Sequence, residues 1–177
     1  MRPLFITAHY DDLEVCAGGT AARFGGRSVV LTPKPKAGTL FEAEQAAEIL
    51  GIGMTNIGDV AGLTRLAQGF DTIITMSPWD THPDHQAAAS IARQVARKNN
   101  VNLWFMDHTI PGGYNNGPRP NTFVNIEDVF DTKYDAIERY KVLTNQDIKA
   151  TMYRDRYYGF LRGMAAAEGF VVDHAIT

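Results

Sequence analysis

A chain of 177 residues, 45% hydrophobic and 21% charged, can bury one core and is read as a single domain over residues 1–177. Its 17 basic and 20 acidic residues leave a formal charge of −3, which gives no basis for a nucleic-acid partner. A single cysteine, Cys16, excludes an internal disulfide, and no apolar run approaches the roughly 20 residues that span a bilayer. With no apolar leader after Met1, the expectation is a cytoplasmic protein without a membrane segment, its oligomeric state left open.

Taken in chain order, Pro3 to Ala8 (PLFITA) is rich in β-formers and predicts a first strand that stops at His9. Gly18-Gly19-Thr20 then opens a short helix through Arg23, and Ser28 to Leu31 predicts a second strand. Pro33 to Gly38 reads as a loop, because its prolines exclude regular structure. Leu40 to Leu50 predicts a helix with Gly51 as its stop. Met54 to Ile57 and Thr72 to Met76 read as strands, Pro83 to Lys98 as a long helix, and Val101 to Met106 as a strand. His108 to Pro120 reads as a loop and Thr122 to Ile126 as a late strand. Phe130 to Leu143 and Tyr153 to Phe170 then predict two helices. Strands alternating with helices predict an α/β fold with a mostly parallel sheet flanked by helices, with sites beyond the carboxyl ends of its strands.

Two short motifs follow predicted strands: Ala8-His9-Tyr10-Asp11-Asp12 and His82-Pro83-Asp84-His85. They hold three of the five histidines. A catalytic zinc takes three His or carboxylate ligands and keeps one position open for water. His9 and Asp12 could reach one metal across a tight turn, and His85 would complete the set. Asp11 would then be free to act as a base, and His82 to donate to an oxyanion or a leaving amine. Asp80 and Asp84 suit a role behind the histidines, fixing their tautomers. The bland alternatives are a solvated loop whose aspartates cap a helix, and a helix start with Pro83 in its first turn. The second of these leaves two histidines three residues apart unexplained.

AHYDDLEVCAGGT resembles the AHPDD-x-E-x-G-x-GGT signature of the PIG-L/LmbE-like zinc-dependent N-acetylglucosaminyl deacetylases, and PWDTHPDHQAA resembles that family's D-x-HPDH. EAEQAAEILG, FVNIEDVFDTKYDAI and RYYGFLRGMAAAEGF are similar to further family segments, so the likeness runs over nearly the whole chain. The resemblance implies a Rossmann-like fold and zinc on His9, Asp12 and His85, although the same donors accept other divalent metals. It implies Asp11 as general base, His82 as acid or oxyanion partner, and an N-acetylated amino sugar as small-molecule substrate. Tyr10 stands where the family has proline and is read, with Asp80, as a substrate contact. The segment between Gly51 and Asp80 is short for the family, which leaves the substrate open to other amides: a thiol conjugate, an acylated nucleoside or an antibiotic sugar.

Other residues carry blander expectations. Glu14 and Cys16 read as structural, His108 as a surface or packing residue, and His174 as incidental. Lys34 and Lys36 read as a solvated loop, and Tyr114 and Arg119 as part of a loop able to close over a ligand. The aromatic and alanine stripe from Tyr157 to Phe170 reads as core. A nucleotide-binding module would need a G-x-G-x-x-G turn after the first strand, which this chain lacks. A non-catalytic sugar binder would have no need of Asp11.

Overall fold

The computed structural model describes residues 1–32, 39–55, 57, 59–108 and 117–174. Lys34, Lys36 and Tyr114 lie outside the described residues. Seven strands form one sheet in the order β3-β2-β1-β4-β5-β7-β6. β1 (Pro3–Thr7) pairs in parallel with β2 (Arg27–Val30) and β4 (Thr72–Thr75); β2 also takes β3 (Gly53–Met54), and β4 takes β5 (Asn102–Met106). β7 (Ala167–His174) runs antiparallel between β5 and β6 (Thr122–Asn125). The order 3-2-1-4-5 of the parallel strands is the doubly wound pattern, so the α/β, Rossmann-like expectation holds.

Every residue of β1 and β4 is buried, as expected of central parallel strands covered on both faces. On one face, Phe5 and Ile74 pack with α1 (Asp12–Phe24), α2 (Leu40–Leu50) and α5 (Phe130–Ile137). On the other, Leu4, Ile6 and Ile73 pack with α3 (Val60–Ala67) and α4 (Pro83–Asn99). α6 (Asn145–Leu161) lies against β7. α2 starts on a capping box between Thr39 and Glu42 and stops at Gly51, whose positive φ of 68° is costless without a Cβ. Among the described residues, no helix is long and apolar enough to cross a membrane.

Four expectations are corrected. α1 begins at Asp12, before the glycine pair, although it kinks at Ala17 (φ −145°). α3 appears between the third and fourth strands, capped by Asp59, where no helix is predicted. α5 ends at Ile137 and not at Leu143. α6 starts at a Thr144–Asp147 capping box and ends at Leu161, and residues 167–170 are strand. The alanines at 165–167 favour helix, but β7 gains ladder hydrogen bonds on both edges, and tertiary pairing overrides the local preference.

The kink in α1 has its own support. The amides of Gly19 and Thr20 donate to the Glu168 carboxylate of β7 at 2.8 and 2.7 Å. The Val15 carbonyl instead accepts from Arg154 of α6 at 2.6 Å. A helix therefore does restart at the glycine pair, capped from a distant strand.

Candidate metal centre

The chain turns back between β3 and β4, so β1 and β4 meet at the switch point of the sheet. Sites of open α/β sheets form beyond the carboxyl ends of such strands. His9 and Asp12 follow β1 there, Asp80, His82 and His85 follow β4, and His108 follows β5.

Asp12 closes the turn from β1 into α1. Its Oδ2 accepts from the amides of Ala8 and His9 at 3.0 and 2.7 Å. Its Oδ1 lies 3.3 Å from His85 Nε2. His85 Nε2 also stands 3.3 Å from His9 Nδ1, and His9 Nδ1 is 3.7 Å from Asp12 Oδ2. All three side chains are buried, at 3% (His85), 4% (Asp12) and 6% (His9) exposure. This close group answers to a metal by its donor chemistry and by its size. Tetrahedral zinc with arms of about 2.0–2.1 Å separates its ligand atoms by about 3.3 Å.

The far nitrogens of both histidines are tied to carboxylates. His85 Nδ1 meets Asp80 Oδ2 at 2.8 Å, and His9 Nε2 meets Asp84 Oδ2 at 3.1 Å. Such carboxylate–histidine pairs turn the remaining nitrogen of each ring toward the metal and raise its basicity. Two other groupings, Asp80–His85–His108 and His9–His82–Asp84, come within the same reach. Their carboxylates are already spent on the far nitrogens.

The electrostatics match. Burial draws the His85 ring down, but the Asp12 and Asp80 carboxylates outweigh it and lift its pKa to about 9. The hydrogen bond to Asp12 likewise raises His9. Burial pushes Asp12 and Asp80 up, yet their histidine partners hold both below the usual carboxylate range. Asp11 differs. Burial, followed by repulsion from Asp12, lifts it to about 6. It occupies the N-cap position of α1 without making a side-chain cap bond, so helix capping does not account for it.

His82 is the N-cap of α4, and its Nδ1 accepts from the Asp84 amide at 3.2 Å. An accepting Nδ1 in a neutral ring leaves the proton on Nε2. The His82 ring stacks on His85 at 4.7 Å and meets His9 edge-on at 4.9 Å. Asp80 takes the His82 amide on Oδ1 at 2.8 Å and His85 on Oδ2. With both oxygens engaged it stands behind the His85 ring, as one of the two readings given to it from the sequence expects. The Tyr10 ring packs against the core, and its carbonyl accepts from Tyr140 at 2.7 Å.

His108 was missed. Its Nδ1 approaches Asp80 Oδ2 to 3.2 Å, and its ring meets His85 edge-on at 4.9 Å. Its place immediately after a strand that ends at the same rim was the available signal. Glu14 is buried, its pKa lifted by burial to about 8, with Oε2 lacking a hydrogen-bond partner among the described residues. Cys16 is buried, and burial pushes its thiol up.

No family model matches the chain. Solved structures share its fold. The conserved protein TT1542 of Thermus thermophilus superposes with a TM-score of 0.78 at 24% identity, over 100% of this chain and 96% of its own. The N,N'-diacetylchitobiose deacetylase of Pyrococcus horikoshii gives 0.73 at 20%, covering 97% and 83%. GalB of Pseudomonas putida, a 4-carboxy-2-hydroxymuconate hydratase, gives 0.77 at 19%, covering 100% and 98%.

Proposed function

We propose that this chain is a PIG-L/LmbE-type metal-dependent hydrolase that removes the acetyl group from an N-acetylglucosamine-type sugar or conjugate. One observation carries the reading: His9 Nδ1 and His85 Nε2 face each other at 3.3 Å beside Asp12, each ring held from behind by a carboxylate. The deacetylase among the fold neighbours supports it.

His9, Asp12 and His85 would hold the ion, with zinc the first candidate for this donor set. Bound there, it supplies Lewis-acid polarisation and lowers the pKa of a water from about 15.7 to about 7. Asp11 takes the proton from the attacking water. Its pKa near 6 lies close to neutrality, where a base combines the right protonation state with useful strength. His82 offers its Nε2 proton first to the developing oxyanion and then to the leaving amine. Asp80 and Asp84 orient the two ligand rings.

Acetate release from N,N'-diacetylchitobiose and N-acetylglucosamine, measured beside bound metal, tests the reading. Asp11→Asn should keep the metal and lose about a hundred- to ten-thousand-fold in turnover. His85→Ala should lose metal and turnover together. Metal-free protein that His85→Ala leaves unchanged would overturn the proposal. The hydratase neighbour motivates a second reading, addition of water to a carbon–carbon double bond. Turnover of a 4-carboxy-2-hydroxymuconate-type substrate without acetate release would select it.

A further inference from the structure

α6 is inverted. Thr151, Arg154, Asp155 and Gly159 face inward, while Tyr153, Tyr157, Phe160 and Leu161 are exposed at 69, 54, 80 and 49%. The expectation that the stripe from Tyr157 is core therefore fails over its helical part. The inward face is taken by a buried charge cluster. Asp155 accepts from Lys133 at 2.5 Å and from Arg154 at 2.9 Å.

Part of this outward face lines a cavity of about 460 Å³, within the usual range for small-molecule sites. Tyr157 and Leu161 line it together with Phe123 of β6, Arg119 and Arg162. Neither arginine has an ion-pair partner among the described residues. Arg162 rests over the Phe123 ring at 4.3 Å. Asp107, the one acid among the described lining residues, is engaged by the Tyr158 hydroxyl, so it competes little for the guanidinium groups. Asp107 immediately precedes His108, which touches Asp80 in the metal centre. Asp107 of the cavity and His108 of the site are thus neighbours in the chain.

We propose that this groove binds an anionic aromatic group attached to the substrate beyond the sugar. The inference rests on the deacetylase reading. Aromatic side chains present flat apolar faces for a ring, and guanidinium forks match a carboxylate or phosphate. Two arginines without an ion-pair partner among the described residues select against neutral and cationic groups. The reacting amide sits at the metal, and the remote group supplies binding energy.

The test compares 4-carboxyphenyl and phenyl N-acetyl-β-glucosaminides by calorimetric titration of the metal-loaded protein, with acetate release followed separately. The wild type should bind the carboxylate form about tenfold more tightly, the worth of one charge-assisted contact. Combined Arg119→Ala and Arg162→Ala should erase that preference by lowering affinity for the carboxylate form to that of the phenyl form. Both arginines are exposed, so the variant should fold. Equal binding of the two glycosides, or a preference that survives in the variant, would overturn the groove assignment. Benzoate binding as tightly as the glycoside would also overturn it, since the site would then serve a free anion. If neither glycoside releases acetate while the arginine-dependent preference persists, the deacetylase reading fails and the groove remains a site for the anionic glycoside.

Discussion

Each candidate ligand histidine is held by its other nitrogen, and the two holds are unequal. Asp80 meets His85 at 2.8 Å and is buried, whereas Asp84 meets His9 at 3.1 Å with its side chain 22% exposed. Asp80→Asn should therefore weaken metal binding more than Asp84→Asn, by about 10–100-fold against a smaller loss. Competition with a chelator of known affinity measures both. Equal losses would mean that the outer carboxylates act only through net charge. Buried phenols make a second prediction. Burial raises Tyr134 and Tyr140 far above the ordinary value of 10.0. Below pH 10 both states of the chain keep these protons. Above it the unfolded chain releases them and the folded chain does not, so stability falls as pH rises. In an alkaline spectrophotometric titration these two of the seven tyrosines should ionise only as the fold opens. The convergence of His9, Asp12 and His85 was legible in the two motifs, because a candidate metal site needs particular residue types. The place of His108 was not, because it depends on how three strand ends converge.

The element that sets the site is α1, and what sets α1 is its break at Ala17. Glu168 replaces two helix bonds and also accepts from Lys133 at 2.7 Å, all in full burial. Glu168→Ala leaves the Lys133 charge without one partner and two amides without acceptors. A loss of about 3–5 kcal/mol is expected from the denaturant midpoint. Gly19→Ala attacks the same place by volume. A Cβ there would stand 2.6 Å from Ile126 Cγ2, and the overpacking should cost about 1–3 kcal/mol. A change under about 0.5 kcal/mol in either variant would show that the kink is not held as described. The glycine pair was visible in the sequence as a helix start, but its capping partner, 149 positions away, was not. α6 was misplaced because an outward stripe at positions 153, 157, 160 and 161 has the same period as a buried one. Only the charged cluster beneath it tells them apart.

At the scale of the whole molecule, the parallel half of the sheet was legible, since its central strands are continuous apolar runs ending at the two motifs. The antiparallel edge was not, because β7 owes its form to neighbours on both sides. Its insertion has a consequence for the order of assembly. β1 to β5 can pair as soon as they are made, but β6 has no place in the sheet until β7 arrives between them. A nascent chain that has reached only Leu161 carries the metal ligands yet exposes the β5 edge, and its first helix lacks its distant cap. Such an edge invites pairing with other chains. Fragment 1–161 should therefore scatter light and retain little metal, while the full chain stays dispersed. On this view the docking of β7 acts as a checkpoint on the sheet, and in the proposed hydrolase it would withhold activity from incompletely paired copies.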